Sequence, residues 1–510
     1  LAFYVSPLTL LAAWHEMTVS PAPATDTIAA IATPAGRGGI GVIRVSGPQA
    51  LTIAEHFLGR IPKPRFAHRC RFRSASGDLV DDGLLIAFPA PRSFTGEDVI
   101  ELQAHGSPIV LGVLLRRCIE LGARLARPGE FSERAYLNDK LDLAQAEAVA
   151  DLIAAGSESA ARAALRSLDG EFSRRIDALS RQLIELRVYI EAAIDFPEEE
   201  IDFLRTDEVR SRFAAIEMTL HELLEGARRG QRLRDGLHVV ILGAPNVGKS
   251  SLLNALAGHD RAIVTAIPGT TRDVLREPID VDGLPITIVD TAGLRDTVDE
   301  VEIEGIARAE RESQRADLVL WVVDGSRYSV LGTRDSEEPD SQRTEEFGGL
   351  VSATAITERG SARLEAESRV PRPESRLQGR PSPESRIFIH NKLDLGGGDA
   401  RVEHRADGVH VFLSAKTGIG LDLLRRALLD HAGLHEGSSG DFSARARHVI
   451  ALERTREHLA SARAHALDLG QGELAAEDLR LAHDALGEIV GRFRADDLLG
   501  EIFSSFCIGK

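Results

Sequence analysis

The sequence predicts a multidomain chain of mixed class. An α+β domain leads, an all-α bundle is assembled from two separated stretches, and an α/β domain with a parallel sheet is inserted between those stretches. Three observations predict this. Apolar residues step 4-3-4-3 ahead of the middle of the chain and do something similar behind it, the middle alternates strand-like and helix-like runs, and the front mixes short β-runs with Gly/Pro turns. At 510 residues the chain has room for about three domains.

Residues 1–24 are expected to stand outside the fold. The first methionine is Met17, and Leu1–Glu16 is apolar without the basic lead or cleavage pattern of a signal peptide, so Met17 is the expected initiator. Residues 25–138 form the α+β domain, with strands at Ile40–Val45, Leu84–Phe88 and Val99–Leu102 and an amphipathic helix over Ile109–Leu121. Residues 139–235 begin the bundle. Phe172, Ile176, Leu179, Leu183, Leu186, Ile190 and Ala193 make one heptad seam, which Pro197 and Glu198–Glu200 end. Val209, Phe213, Ile216, Leu220 and Leu223 make a second. Residues 435–510 complete the bundle with Leu486, Ile489, Val490 and Phe493, then Leu499, Ile502, Phe503 and Phe506. Two separate helical hairpins are the alternative. The inserted domain, 236–434, has strands at His238–Leu242, Ile286–Val289, Leu318–Val323, Ile387–His390 and His410–Leu413. Within it 326–385 is rich in Arg, Glu, Ser and Pro, repeats Pro-Glu-Ser-Arg at Pro373 and Pro383, and is expected to be a disordered insertion.

Composition narrows the function classes. Apolar residues at 43% and charged residues at 27% are those of a soluble globular protein. No apolar run reaches the ~18 residues of a membrane span. The net charge of −17 excludes a bulk polyanion binder, so a nucleic-acid partner must be held by a local patch. Cys70, Cys118 and Cys507 are too few for a disulfide framework or zinc cluster, which points to a reducing, cytoplasmic setting. Basic residues are nearly all Arg. The lysines are Lys63, Lys140, Lys249, Lys392, Lys416 and Lys510, and each marks a place where a compact ammonium stands instead of a guanidinium.

Three of those lysines lie in motifs. Gly243-Ala-Pro-Asn-Val-Gly248-Lys249-Ser250 follows a strand and opens a helix. Its backbone amides suit a β-phosphate, Lys249 bridges β- and γ-phosphates, and the Ser250 hydroxyl takes Mg²⁺. Asp290-Thr291-Ala292-Gly293 follows the next strand, where Asp290 holds Mg²⁺ through water and the Gly293 amide meets the γ-phosphate. Asn391-Lys392-Leu-Asp394 supplies a carboxylate that accepts both guanine N–H groups, and Ser414-Ala415-Lys416 supplies an amide toward guanine O6. The nucleotide expected is GTP or GDP. Thr265–Asp273 holds Thr271, a switch threonine for Mg²⁺. Leu294 stands where a Gln orients the attacking water in Ras-like enzymes, so hydrolysis needs another route.

With Gly269-Thr-Thr-Arg-Asp273 and Asp290-Thr-Ala-Gly-Leu-Arg295 the middle domain looks like an Era-like GTPase of the translation-factor class. The flanks narrow this. Thr33-Pro-Ala-Gly-Arg-Gly-Gly-Ile-Gly41, Phe94-Thr-Gly-Glu-Asp98, Arg127-Pro-Gly-Glu-Phe-Ser-Glu-Arg134, Asn138-Asp-Lys-Leu-Asp-Leu-Ala-Gln-Ala-Glu147 and Phe506-Cys-Ile-Gly-Lys510 resemble the MnmE (TrmE) family of tRNA-modification GTPases. The resemblance covers nearly everything from Asp26 to Lys510 and fails at Leu1–Glu16 and at 326–385.

The resemblance implies an N-terminal folate-binding and dimerising domain, a helical domain and an inserted Ras-like P-loop G domain. It implies a homodimer that works on tRNA with the flavoprotein MnmG, FAD entering only through that partner. A carboxymethylaminomethyl or aminomethyl group is added to the wobble uridine, its one-carbon unit drawn from a formyl- or methylene-tetrahydrofolate. The GTP contacts implied are Asn246, Val247, Gly248, Lys249, Ser250 and Ser251, then Thr265, Ala266, Ile267, Pro268, Gly269, Thr270 and Thr271, together with the two later motifs. Mg²⁺ falls to Ser250 and Thr271, and K⁺ to Asn246, Thr265, Ile267 and Thr270, where the ion supplies charge in place of an arginine finger. Glu302 positions the attacking water, or is a solvated helix-face residue. Folate falls to Arg44, Glu101, Lys140 and Lys510, with Glu97 the alternative to Glu101. Arg or Lys suits a glutamate tail and a carboxylate suits the pterin amide-like donors. Cys507 is a nucleophile, a redox group or packing.

Two rival readings remain at this level. One is an Era-like ribosome-assembly switch, against which stand the single P-loop and the non-basic tail. The other is a folate-dependent transferase whose G domain only regulates.

Overall fold

The computed structural model describes residues 26–195, 203–244, 246–257, 276–290, 316–326, 385–434 and 442–491, with Ile502, Phe503, Phe506 and Gly509. Contacts divide the chain into two units, Leu1–Gly236 with His435–Lys510, and Leu237–Leu434. The second is an insertion in the first. The expected extension at 1–24 and the interior of the expected insertion, 327–384, lie outside the described residues, as do Pro197, Phe493 and Leu499.

The first unit opens with a six-stranded sheet, ordered β3-β4-β5-β2-β1-β6: β1 Thr27–Ile31, β2 Gly38–Ser46, β3 His68–Arg73, β4 Leu79–Phe88, β5 Val99–Gly106 and β6 Ala123–Leu125. The period-2 alternation of strands sends neighbours to opposite faces. On β1, Ala29 joins Ile43, Val45, Leu85, Ile100 and Leu102 under helices α1 Ala50–Leu58 and α2 Pro108–Glu120. Ile28 and Ala30 face the other way, against Phe131 of α3 Glu130–Leu137.

The bundle follows. Helices α4 Leu143–Ala154, α5 Glu158–Leu168, α6 Glu171–Asp195 and α7 Asp207–Asp235 precede the insertion; α11 Ala446–Arg463 and α12 Gly472–Val490 follow it. Both heptad seams are interior except at Ala193, which is half-buried: Phe172 through Ile190 and Val209 through Leu223 are buried in one cluster with Leu452, Leu459, Leu479 and Leu486. Residues from before and after the insertion therefore share one core, which two separate hairpins would not give. At the C-terminus Ile502, Phe503 and Phe506 pack on Tyr136, Leu143 and Ala146, and Gly509 lies against Ile31.

The second unit holds a seven-stranded sheet, ordered β12-β13-β11-β10-β7-β9-β8. Its strands are β7 Leu237–Leu242, β8 Arg276–Val281, β9 Leu284–Asp290, β10 Leu318–Asp324, β11 Arg386–Asn391, β12 Arg401–Arg405 and β13 Gly408–Phe412. The five central strands are parallel, as expected; the edge strands β8 and β12 run antiparallel. Helices α8 Lys249–Ala257, α9 Leu393–Gly396 and α10 Leu421–His431 complete the described part of this unit. No helix among the described residues is long and apolar enough to cross a membrane.

Candidate functional site

In the second unit the carboxyl ends of β7, β9, β10, β11 and β13 deliver Gly243, Asp290, Asp324, Asn391 and Ser414 to one edge of the sheet, where open α/β sheets bind ligands. The loop after β7 turns sharply. Gly243 has φ +149, and a Cβ there would stand 2.2 Å from Val322 O. Gly248 has φ +97, and a Cβ there would meet Asn391 Nδ2 at 2.3 Å, so only glycine fits either position. Asn246 takes a left-handed φ of +62 without being glycine, a strain typical of binding loops. Lys249 is buried, and its Nζ donates to Gly243 O and Ala244 O at 2.9 Å each. The loop is thus wrapped around an ammonium at the first residue of α8, where helix amides and dipole both favour an anion. Ser250 and Ser251 continue that first turn.

The other side of this edge is knitted from two strand ends. Asn391 is buried, its Nδ2 donating to Val247 O and its Oδ1 accepting from the Ala415 amide, each at 2.9 Å. Asp394 Oδ1 accepts from Ser414 Oγ at 2.6 Å, which fixes one oxygen and aims the carboxylate. Lys392, left-handed at φ +68, donates to Asp324 Oδ2 at 2.8 Å. Asp324 Oδ1 accepts from the Ser326 amide and hydroxyl. Lys392, then the Ser326 contacts, hold the Asp324 carboxyl down at about 2. Asp324 carried no signal in the sequence beyond ending a strand.

The first unit carries a second concave site. A cleft of about 540 Å³ is lined by Arg44, Arg65, Phe88, Arg92, Ser93, Phe94, Val99, Glu101 and Lys140. Arg44 on β2 and Glu101 on β5 are direct cross-strand partners, and Arg44 Nε and Nη2 both donate to Glu101 Oε1 at 3.1 and 2.9 Å. The Arg44 guanidinium also lies over the Phe94 and Phe131 rings. Lys140 Nζ donates to Pro91 O at 3.1 Å. The sheet brings Arg44 and Glu101 to one cleft, and the turn after α3 adds Lys140. Glu97 goes elsewhere: it accepts from Ser46 Oγ and from Arg134. Arg65, Arg92, Phe88 and Val99 escaped the sequence reading because loops and strand pairing, not spacing, collect them.

Beneath the cleft, α3 buries charge. Burial alone would raise the Glu130 carboxyl, but Arg124, the Arg127 amide and Arg134 outweigh it and hold it near 2.

The remaining candidate residues lie outside the described part: Thr265, Ala266, Ile267, Pro268, Gly269, Thr270 and Thr271, Thr291, Ala292, Gly293 and Leu294, Glu302, Cys507 and Lys510. The Asp290 side chain does as well.

The GTP-binding protein TrmE N-terminus family matches residues 27–140, and the MnmE helical domain family matches residues 143–507. The tRNA modification GTPase MnmE of Ectopseudomonas mendocina is 54% identical over 488 residues, covering 96% of this chain and 99% of that protein. The chain belongs to the MnmE family. Another member, the tRNA modification GTPase MnmE of Chromohalobacter salexigens, is 51% identical over 494 residues, 97% of this chain and 100% of its own length. Among solved structures, the G domain of the T. maritima FeoB iron transporter aligns at 21% identity and a TM-score of 0.23, over 38% of this chain and 98% of that one. As an MnmE-family protein this chain is a GTPase with a TrmE-type front domain, a helical domain and a G domain.

Proposed function

We propose that this chain hydrolyses GTP to drive modification of the wobble uridine of certain tRNAs. It adds an aminomethyl or carboxymethylaminomethyl group together with a flavoprotein partner of the MnmG kind and draws a one-carbon unit from a tetrahydrofolate derivative. The domains are 25–138 for folate and dimerisation, 139–235 with 435–510 for the helices, and 236–434 for GTP. The protein works as a homodimer in the cytoplasm.

The observation that carries this reading is the coexistence in one chain of a P-loop tied to a base-reading loop through Asn391 and a cationic, aromatic cleft. The nucleotide loop suits a triphosphate: glycine alone fits at Gly243 and Gly248, and Lys249 already has its ammonium inside the loop. Ser250, with Thr271, would hold Mg²⁺. Asn246, with Thr265, Ile267 and Thr270, would hold K⁺, which would supply positive charge to the transition state. Glu302 orients the attacking water.

The cleft suits a folate. Its volume lies in the small-ligand range, Arg44, Arg65, Arg92 and Lys140 offer cations to glutamate carboxylates, and Phe88 and Phe94 offer apolar faces to a pteridine. Glu101 would accept from pterin N–H groups. Lys510 would be a further folate contact, and Cys507 would serve the modification chemistry. An Era-like switch has no use for this cleft, which disfavours that alternative.

Nucleoside analysis of tRNA from a strain lacking its own enzyme, complemented by this chain, tests the proposal. Modified wobble uridine is expected to return; its continued absence with intact GTP hydrolysis would refute the reading.

A further inference from the structure

The inserted unit is joined to the first unit by two crossings of the chain, outward at Gly236–Leu237 and back after Leu434. Both flanks of these crossings converge on one carboxylate. Asp151, near the end of α4 and with a nearly buried side chain, accepts from Arg234 Nε at 2.8 Å; Arg234 lies two residues before Gly236. Asp151 also accepts from Ser443 Oγ at 2.8 Å and from Arg445 Nη2 at 2.7 Å, in the first described stretch after the return. The same stretch is strapped down on other sides. The Ser443 amide donates to Ala163 O, Ser167 Oγ donates to Ser443 O, and Gly230 on α7 is so close to Phe442 O that a Cβ would stand 1.9 Å away. One turn earlier on α4, Glu147 is fully buried and takes Arg447 at 2.6 and 2.8 Å.

The other end of α4 reaches the cleft. Asp142 caps the helix reciprocally with Gln145, and Lys140, two residues before the cap, lines the cleft beside Arg44 and Glu101. The helix spans about 17 Å. Along it Leu143 and Ala146 carry Phe503 and Phe506 of the C-terminal segment. A single capped helix thus bonds both described flanks of the insertion near one end and reaches the cleft at the other.

We propose that Asp151 is a positioning residue that couples the nucleotide state of the inserted unit to the cleft, by holding to α4 the described stretches that flank the insertion, through Arg234 on one side and Ser443 and Arg445 on the other. A load on either crossing reaches Asp151 through a charge-assisted bond, and a helix shifts as a body rather than bending. The inference deepens the proposed function, on which the meaning of the cleft rests.

Hydrogen exchange on the full chain tests it, loaded with GDP or with the non-hydrolysable analogue GppNHp. In the wild type, exchange of the amides Lys140–Asp142 is expected to differ at least threefold between the two nucleotides. Asp151→Asn, which keeps the shape but removes the charge, should shrink this difference below about 1.5-fold. GTP hydrolysis should stay within threefold, and Asp151→Glu should restore at least half of the difference. A merely structural role would lower the melting temperature and all activities together without removing the nucleotide dependence.

A wild-type-sized difference in Asp151→Asn, or none in the wild type, overturns the proposal. Should Asp151→Asn fail to fold, Ser443→Ala carries the test, since it removes one donor and leaves the ion pairs; a partial loss supports coupling and an unchanged difference refutes it. The measurement needs neither folate nor tRNA. A chain that passes it yet restores no modified uridine contradicts the proposed function alone.

Discussion

Asn391 Nδ2 donates to Val247 O across 144 positions of sequence, and through that 2.9 Å bond the end of β11 holds the loop that follows β7. The other half of the same amide holds Ala415, so one side chain fixes the two loops that meet a nucleotide. Asn391→Ala leaves a buried carbonyl and a buried amide without their partner. At about 1–3 kcal/mol for each unsatisfied group, partly relieved by water, GDP affinity should fall roughly 10- to 100-fold. Fluorescent-GDP titration measures it; an unchanged affinity would show that the loops hold their places independently.

Asp394 is aimed by Ser414 Oγ, which engages one carboxylate oxygen. Asp394→Asn puts an amide donor against guanine N–H groups and should weaken GTP binding by about 2–4 kcal/mol while improving binding of xanthine nucleotide. Ser414→Ala should have the same direction and a smaller size, because it loosens the carboxylate without changing its chemistry. Competition between GTP and XTP reads both.

Legibility in the sequence tracks how local the signal is. The P-loop, Asn391–Asp394 and Ser414–Lys416 each follow a strand within a few residues, so spacing alone revealed them. The seams Phe172–Ile190 and Val209–Leu223 were legible because every residue in them is apolar and lands in one core. Helix α3 was not, since its buried face includes Glu130, Ser132 and Arg134, and a charged interior has no apolar period. Edge strand β12 reads Arg-Val-Glu-His-Arg and is mostly exposed, so it lacks the hydrophobic run of its parallel neighbours. The cleft was half legible. Family motifs pointed to Arg44, Glu101 and Lys140, but only the sheet register shows that Arg44 and Glu101 face each other, and only the folded loops bring Arg65 and Arg92 to join them.

Acid should unsettle the inserted unit through His390. Its ring is buried, stacks on Phe412 at 4.3 Å, and shares a 3.0 Å hydrogen bond with His410, which in turn meets Asp407. Burial first, then the charges of His410 and Arg405, push the His390 pKa down to about 4 from 6.5. The unfolded chain therefore binds a proton that the folded one refuses between those values. Stability is full above pH 6.5 and falls as pH drops toward 4, by up to about 3 kcal/mol. Melting curves between pH 7 and 4.5 should show this slope, and His390→Gln should flatten it. An equal slope in the variant would assign the acid sensitivity to other groups.

Arg44 meets Glu101 through two nitrogens and covers two aromatic faces, a combination lysine cannot reproduce. Arg44→Lys should cut affinity for 5-formyl-tetrahydrofolate at least tenfold and leave GTP hydrolysis within twofold, because the substituted side chain and the P-loop lie in different units. Calorimetric titration and a phosphate-release assay separate the two effects. Parallel losses would argue that the substitution damages the fold instead.

The register of β10 and β11 sets how far residues 327–384 can be shortened. The strands are parallel, with Val319 opposite Arg386 and Asp324 opposite Asn391. A chain leaving β10 at Asp324 must travel back five residues along the sheet, about 17 Å, before it re-enters at Arg386. It must also clear the side chains of a sheet face, so a parallel crossover needs about a dozen residues or more. Four Gly/Ser residues in place of 327–384 cannot make that return and should abolish nucleotide binding. About fifteen can, and since loop length alone costs little, GTP hydrolysis should stay within threefold of the full chain. Phosphate release and thermal melting of the two variants decide it. Loss of nucleotide binding in the fifteen-residue variant would mean that 327–384 contributes contacts to the G domain beyond closing the crossover.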